Sequence, residues 1–213
     1  MDNINFSSYI SIPKDKSKTG IIVIQEWWGL DSHIRNLTLK FANNGYMALA
    51  PDLYHNKVVD EPDEAKKLAM SLNFEKAVIE IQESIKFLKL HCEKIIISGF
   101  CMGGFLALKT AEQTEVDGVL AFYPGNYDPT IIDISKYQSP VRIFYGDLDH
   151  GFDKQKYMNI ELMFKNDNKD YRFHLFSGAD HAFLNDERHG YNKEVANEAW
   201  KIAFNFIHNI DNA

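Results

Sequence analysis

The sequence predicts an α/β fold, a mostly parallel central sheet flanked by helices on both faces. Three observations lead there. Short apolar runs rich in β-branched residues alternate with longer stretches of helical periodicity. The runs are continuous rather than alternating, as expected of strands buried on both faces. The strongest of them, Lys94 to Ser98, passes directly into a glycine-rich turn and then a helix. With 213 residues and no repeat, linker or low-complexity tract, a single domain over 1–213 is expected.

In chain order, Ser8 to Ile12 is expected as an antiparallel edge strand, followed by strands at Gly20 to Gln25, Tyr46 to Ala50, Lys94 to Ser98, Asp117 to Phe122, Val141 to Tyr145 and Tyr171 to Phe176. Between them, Asp31 or Ser32 caps a helix that runs through Phe41 and ends near Asn43-Asn44-Gly45. Pro62-Asp63-Glu64 opens another, with acid in its first turn. Ala77, Ile81, Ile85 and Leu88 mark one face of a third helix. Further helices are expected at Met102 to Glu112, Lys154 to Phe164 and Asn192 to His208.

Composition narrows the function classes. Thirty acidic against 23 basic side chains give a formal charge of −7, and the longest Lys/Arg run is the pair Lys66-Lys67, so no nucleic-acid footprint is present. No apolar run approaches the roughly 20 residues that span a bilayer. Two cysteines, Cys92 and Cys101, make no disulfide framework, and the N-terminal residues lack a basic segment followed by an apolar one; a cytoplasmic location is expected.

Ser98-Gly99-Phe100-Cys101-Met102-Gly103-Gly104 is a glycine-x-nucleophile-x-glycine turn with cysteine at its centre. Such a turn strains its central residue and leaves room only for glycine at the flanking positions. It presents the sulfur at the carboxyl edge of the sheet and at a helix amino terminus, which favours the nucleophilic thiolate. Cys92 has no such setting.

A nucleophile of this kind needs a base and an orienting acid, on later strand-to-loop junctions in the order nucleophile, acid, histidine. Gly146-Asp147-Leu148-Asp149 follows one strand, and Ser177-Gly178-Ala179-Asp180-His181 follows the next. We assign Asp149 as the acid and His181 as the base, with Asp147 as the competitor two residues away. His33, His91, His174 and His208 fall on helices or strands, whereas His55, His150 and His189 are loop residues able to line a cleft. The first long strand ends in Gln25-Glu26-Trp27-Trp28-Gly29, which projects Glu26 and two indoles from the edge where open α/β sheets bind ligands.

These residues together resemble the dienelactone hydrolase family of α/β-hydrolases. The likeness runs over nearly the whole chain: Gln25-Glu26-Trp27-Trp28-Gly29-Leu30, Gly45-Tyr46 through Ala50-Pro51-Asp52-Leu53-Tyr54, Gly99 to Gly104, Tyr145 to Asp149 and His181-Ala182-Phe183. The resemblance implies an α/β-hydrolase fold without a separate cap domain and a triad of Cys101, His181 and Asp149. It further implies that Glu26 can accept the thiol proton, and that the backbone N–H groups of Met102 and Trp27 form the oxyanion hole.

It also implies a carboxylic ester hydrolase acting on an activated ester or enol lactone through a thioester acyl-enzyme. A thiolate is a weaker base than an alkoxide, so only a substrate with a stabilised leaving group partitions forward from the tetrahedral intermediate. Members that act on dienelactone hold its carboxylate with arginines, one of them shortly after the histidine. Asn185 stands there in this chain, and no arginine lies between Arg35 and Arg142; Arg188, Lys66 and Lys67 are the substitutes within reach, or the substrate is neutral. Trp27, Trp28, Tyr54, Tyr123 and Phe183 fall near the active edge and are expected as a pocket together with Arg188. The expected partner is a small-molecule ester or lactone, without cofactor, metal, nucleic acid or membrane, bound by a monomer or weak homodimer. The rival reading is a ligand-binding or cysteine redox-sensing protein on the same fold.

Overall fold

The computed structural model describes residues 7–125, 133–166 and 169–213, apart from the side chains of residues 134, 156, 157 and 160. Seven strands form one sheet: β1 (Ser8–Ser11), β2 (Thr19–Ile24), β3 (Met47–Pro51), β4 (Lys94–Phe100), β5 (Gly118–Phe122), β6 (Val141–Gly146) and β7 (Tyr171–Phe176), in spatial order β1-β3-β2-β4-β5-β6-β7. Only β1 runs antiparallel, pairing Tyr9 with Ala50, as its edge position predicts. The helices are α1 (Ser32–Asn43), α2 (Pro62–Ser71), α3 (Phe74–Lys89), α4 (Met102–Ala111), α5 (Lys154–Asn166) and α6 (Lys193–Asp211).

Every residue of β2 is buried, and β4 is buried from Ile95 onward, which explains their continuous apolar runs Ile21 to Ile24 and Ile95 to Ile97. Asp31 resolves the choice of cap for α1: its side chain accepts a hydrogen bond from the Ile34 N–H at 3.0 Å. Pro62 sits in the first turn of α2, where its missing N–H costs nothing, and Asn73 and Asn192 cap α3 and α6. Most boundaries shift by one or two residues from expectation, and two of the shifts have a visible cause. β4 continues to Phe100 because Phe100 pairs with Phe122 of β5, and α6 runs on to Asp211, where Phe206 and Ile210 meet Gly118 of β5.

The layers follow from strand parity. Gly118 faces α6, and its register partner Ile96, with Ile21 beside that, shares this face; Gly20, one residue earlier than Ile21, faces Leu88 and Cys92 at the end of α3. Thus α6 and α3 cover opposite faces. Phe41 of α1 packs edge-on against Trp200 of α6 at 5.6 Å, which places α1 with α6, while α4 packs beside α3. Toward the carboxyl ends of the strands, the Phe100, Phe122 and Phe144 rings stack at 4.9 and 4.5 Å, giving the edge that carries the site a rigid aromatic floor. Among the described residues, no helix is long and apolar enough to cross a membrane.

Folding buries His33 on α1. Burial, reinforced by Arg188 and only partly opposed by Asp186, pushes its imidazole down to about 4 from 6.5. Below pH 6.5 the unfolded chain gains a proton that the folded chain refuses, so this group subtracts stability as the pH falls toward 4. Relative to wild type, His33→Gln should therefore lose about 3 kcal/mol less between pH 7 and pH 4, measured by urea unfolding.

Candidate active site

Cys101 joins β4 to α4 with φ +52° and ψ −119°, a conformation that a non-glycine residue adopts only when its surroundings impose it. The flanking glycines show what imposes it. A Cβ on Gly99 would lie 2.0 Å from the Gly103 carbonyl oxygen, and one on Gly103 would lie 2.3 Å from that of Ile24. The start of α4 is thus pressed directly against the end of β2. The sulfur is partly exposed at the carboxyl edge of the sheet. Met102, as the first residue of α4, has an N–H with no earlier helical turn to bond to.

His181 follows β7 in the turn expected for it, and its Nδ1 lies 2.7 Å from Asp149 Oδ2. Asp149 is buried, and its other oxygen accepts from the Gly151 N–H at 2.7 Å. Asp147 is committed elsewhere: it accepts from the Ser177 hydroxyl at 2.9 Å and the Gly178 N–H at 2.7 Å, fastening the β7 turn. The acid assigned from sequence is therefore the one that meets the histidine. Burial disfavours the charged His181 ring, but hydrogen bonds to Asp149 and Cys101, together with their charges, prevail and push it up to about 11.

Glu26 projects from the end of β2 and is 1% exposed. Its Oε1 accepts from the Tyr123 hydroxyl at 3.0 Å and its Oε2 from the Asn185 amide at 2.8 Å. Burial pushes its carboxyl up, against the lowering effects of the Asn185 hydrogen bond and the nearby His181. Tyr123, with φ +36°, sets its ring edge-on to His181 at 5.2 Å. Sequence reasoning expected Tyr123 and Phe183 to line the pocket. Both are fully covered instead, because Phe183, on the loop after β7, packs edge-on against Tyr123 at 5.2 Å; neither lines an open pocket.

The remaining expected pocket residues gather around the same edge. Tyr54 directs its hydroxyl to Met102 Sδ at 3.5 Å, and burial together with the Cys101 charge pushes its phenol up. Trp27 is partly exposed and meets Trp28 edge-on at 5.1 Å. Arg188 lies over the Trp28 ring at 3.7 Å. The other arginines are occupied at a distance from these groups: Arg35 over Tyr9, Arg142 with Asp170, and Arg172 on the Tyr171 carbonyl. Lys66 and Lys67 are exposed on α2. His55 faces Glu80 at 3.4 Å, while His150 and His189 are exposed.

Two site residues were missed from sequence. Gly125 donates its N–H to the Cys101 carbonyl at 3.0 Å, and a Cβ there would sit 3.7 Å from both Cys101 Sγ and the Met102 nitrogen, so glycine keeps the space beside the sulfur open. Its place after Tyr123-Pro124 at a strand end was the available signal. Asn185 was read only as a missing arginine, whereas it is an internal partner of Glu26. Among the described residues, no group of three or more His, Cys, Asp or Glu side chains is arranged to hold a metal ion.

A mostly parallel sheet with a strained glycine-x-cysteine-x-glycine turn after β4 and helices on both faces is the architecture of the α/β-hydrolases. The family model "Dienelactone hydrolase family" matches residues 6–210, and the chain belongs to that family, as a hydrolase of carboxylic ester or lactone bonds. The chain is 34% identical to a "Putative carboxymethylenebutenolidase" of Aquifex aeolicus, over 97% of this chain and 94% of that one. It is 30% identical to one of Saccharolobus solfataricus, over 98% and 96%. Among solved structures, a "Putative Dienelactone Hydrolase" from Klebsiella pneumoniae superposes with TM-score 0.81 at 25% identity, covering 92% of this chain and 90% of that one.

Proposed function

We propose that the protein cleaves an activated carboxylic ester or enol lactone through a thioester on Cys101, with His181 as base and Asp149 as its orienting acid. The observation that carries this reading is the 2.7 Å contact of Asp149 with His181 Nδ1, in a ring whose charged form Cys101 also favours. Asp149 fixes the tautomer and orientation of the ring, so that the other ring nitrogen serves the sulfur. The thiolate attacks the carbonyl carbon, and the oxyanion forms against the backbone N–H groups of Met102 and Trp27. Collapse expels the enolate or phenolate, and water activated by His181 then hydrolyses the thioester and returns the thiol.

Glu26 is the further carboxylate, able to receive the thiol proton when substrate enters. Trp27, Trp28 and Tyr54 form the apolar wall, and Arg188 stacked on Trp28 offers a contact for a polar substituent. Because Asn185 and not a cation occupies the position after the histidine, the substrate is read as neutral there. Hydrolysis of a vinyl ester should exceed that of the ethyl ester of the same acid by more than ~10²-fold in kcat/KM, since the two differ only in the leaving group. Equal rates on the two esters, or full activity in Cys101→Ala, would contradict the reading.

A further inference from the structure

Asn185 is fully buried on the loop after β7, four residues beyond His181. Both ends of its side chain are used: Nδ2 donates to Glu26 Oε2 at 2.8 Å, and Oδ1 accepts from the Glu187 N–H at 3.0 Å. Tyr123 donates to the other carboxylate oxygen. The Glu26 carboxylate is thereby held at both oxygens by neutral groups from two different segments, the end of β5 and the loop that carries His181. A buried carboxamide is costly unless it is bonded in this way, and an apolar side chain in its place would leave the buried Glu26 Oε2 without this donor. Its presence therefore serves the carboxylate it holds.

We propose that Asn185 is a positioning residue of the hydrolytic site, acting with Tyr123 to fix the Glu26 carboxylate beside His181 through neutral donors alone. The inference rests on the reading above that Glu26 takes part as a carboxylate. The ionisable groups facing Glu26 are Tyr123 from the end of β5, His181 from the loop after β7 and Asp31 at the start of α1, with Cys101 facing Tyr123. Of these, Asp31 repels the charged carboxylate, whereas His181 favours it.

Removing the Asn185 donor takes away a bond that favours ionised Glu26, so the carboxyl keeps its proton to higher pH. The test is the pH dependence of kcat/KM for 4-nitrophenyl acetate between pH 4 and 9, in wild type, Asn185→Leu, Asn185→Asp and Glu26→Gln, with the melting temperature of each. The acid limb should move up by about one pH unit in Asn185→Leu and further in Asn185→Asp, where two adjacent carboxyls share a proton. KM should change little, and Glu26→Gln should lack this limb. Asn185→Asp is nearly isosteric and decides the question if the leucine variant fails to fold. An unmoved limb in the Asn185 variants, with only a lower melting temperature, overturns the proposal, as does an intact limb in Glu26→Gln. Failure of the underlying reading looks different: Cys101→Ala would then turn over this ester as fast as wild type.

Discussion

Asp149→Asn is expected to lower kcat for an activated ester by roughly 10³–10⁴-fold while leaving the melting temperature within a few degrees of wild type. The amide has nearly the shape of the carboxylate and can keep a contact to His181 Nδ1, now 2.7 Å from Asp149 Oδ2. If the amide turns its NH₂ toward the ring, the imidazole must accept at Nδ1 and carry its proton on the nitrogen that serves Cys101, which is the wrong tautomer for a base. The negative charge that helps push His181 up to about 11 is lost as well. Asp147→Asn is the matched control. Asp147 binds Ser177 and Gly178 rather than the histidine, so its loss should loosen the β7 turn and leave kcat within about threefold. Steady-state kinetics on both variants tests the assignment, and a reversal of the two effects would move the acid to position 147.

Gly103→Ala is expected to cost at least ~3 kcal/mol, a fall in melting temperature of roughly 6–12 °C, and to remove most of the activity. The added methyl would lie 2.3 Å from the Ile24 carbonyl oxygen and 2.5 Å from that of Gln25, both backbone atoms that cannot rotate away. α4 must then lift from β2, and the Met102 and Trp27 N–H groups that we assign to the oxyanion hole lie on opposite sides of that contact. A calorimetric scan checks the stability, and kcat/KM on the folded fraction checks the geometry. Gly45→Ala provides the contrast: nothing lies within 4 Å of its Cβ position, so the cost there is backbone strain at φ +93° alone.

The sheet and its order along the chain were legible because strands such as β2 and β4 carry continuous apolar runs, Ile21 to Ile24 and Ile95 to Ile97, buried on both faces. Cys101, Asp149 and His181 were legible because each stands at a strand-to-loop junction, where chain order alone limits the choice. The Asp147 alternative could not be dismissed from sequence, since both aspartates sit in the same turn and only the bonds to Ser177 and Gly178 separate them. Tyr123 and Phe183 were misplaced for a related reason. An aromatic residue at a strand end can face the pocket or lie beneath it, and here tertiary contacts decide: the Tyr123 ring is covered by His181 and Phe183, both distant in the chain. The pairing of Asn185 with Glu26 escaped notice because the two lie 159 residues apart in the chain.

The central claim is that Cys101 carries the acyl group during turnover. Mixing the protein with excess 4-nitrophenyl acetate, quenching in acid within the first turnovers and measuring the intact mass tests it directly, with peptide mapping to place the adduct. The expected result is a transient acetyl adduct on the peptide containing Cys101, decaying as substrate is consumed and absent from Cys101→Ala. Hydrolysis at the wild-type rate by that variant, or an adduct mapped to any other residue at catalytic speed, would contradict the mechanism.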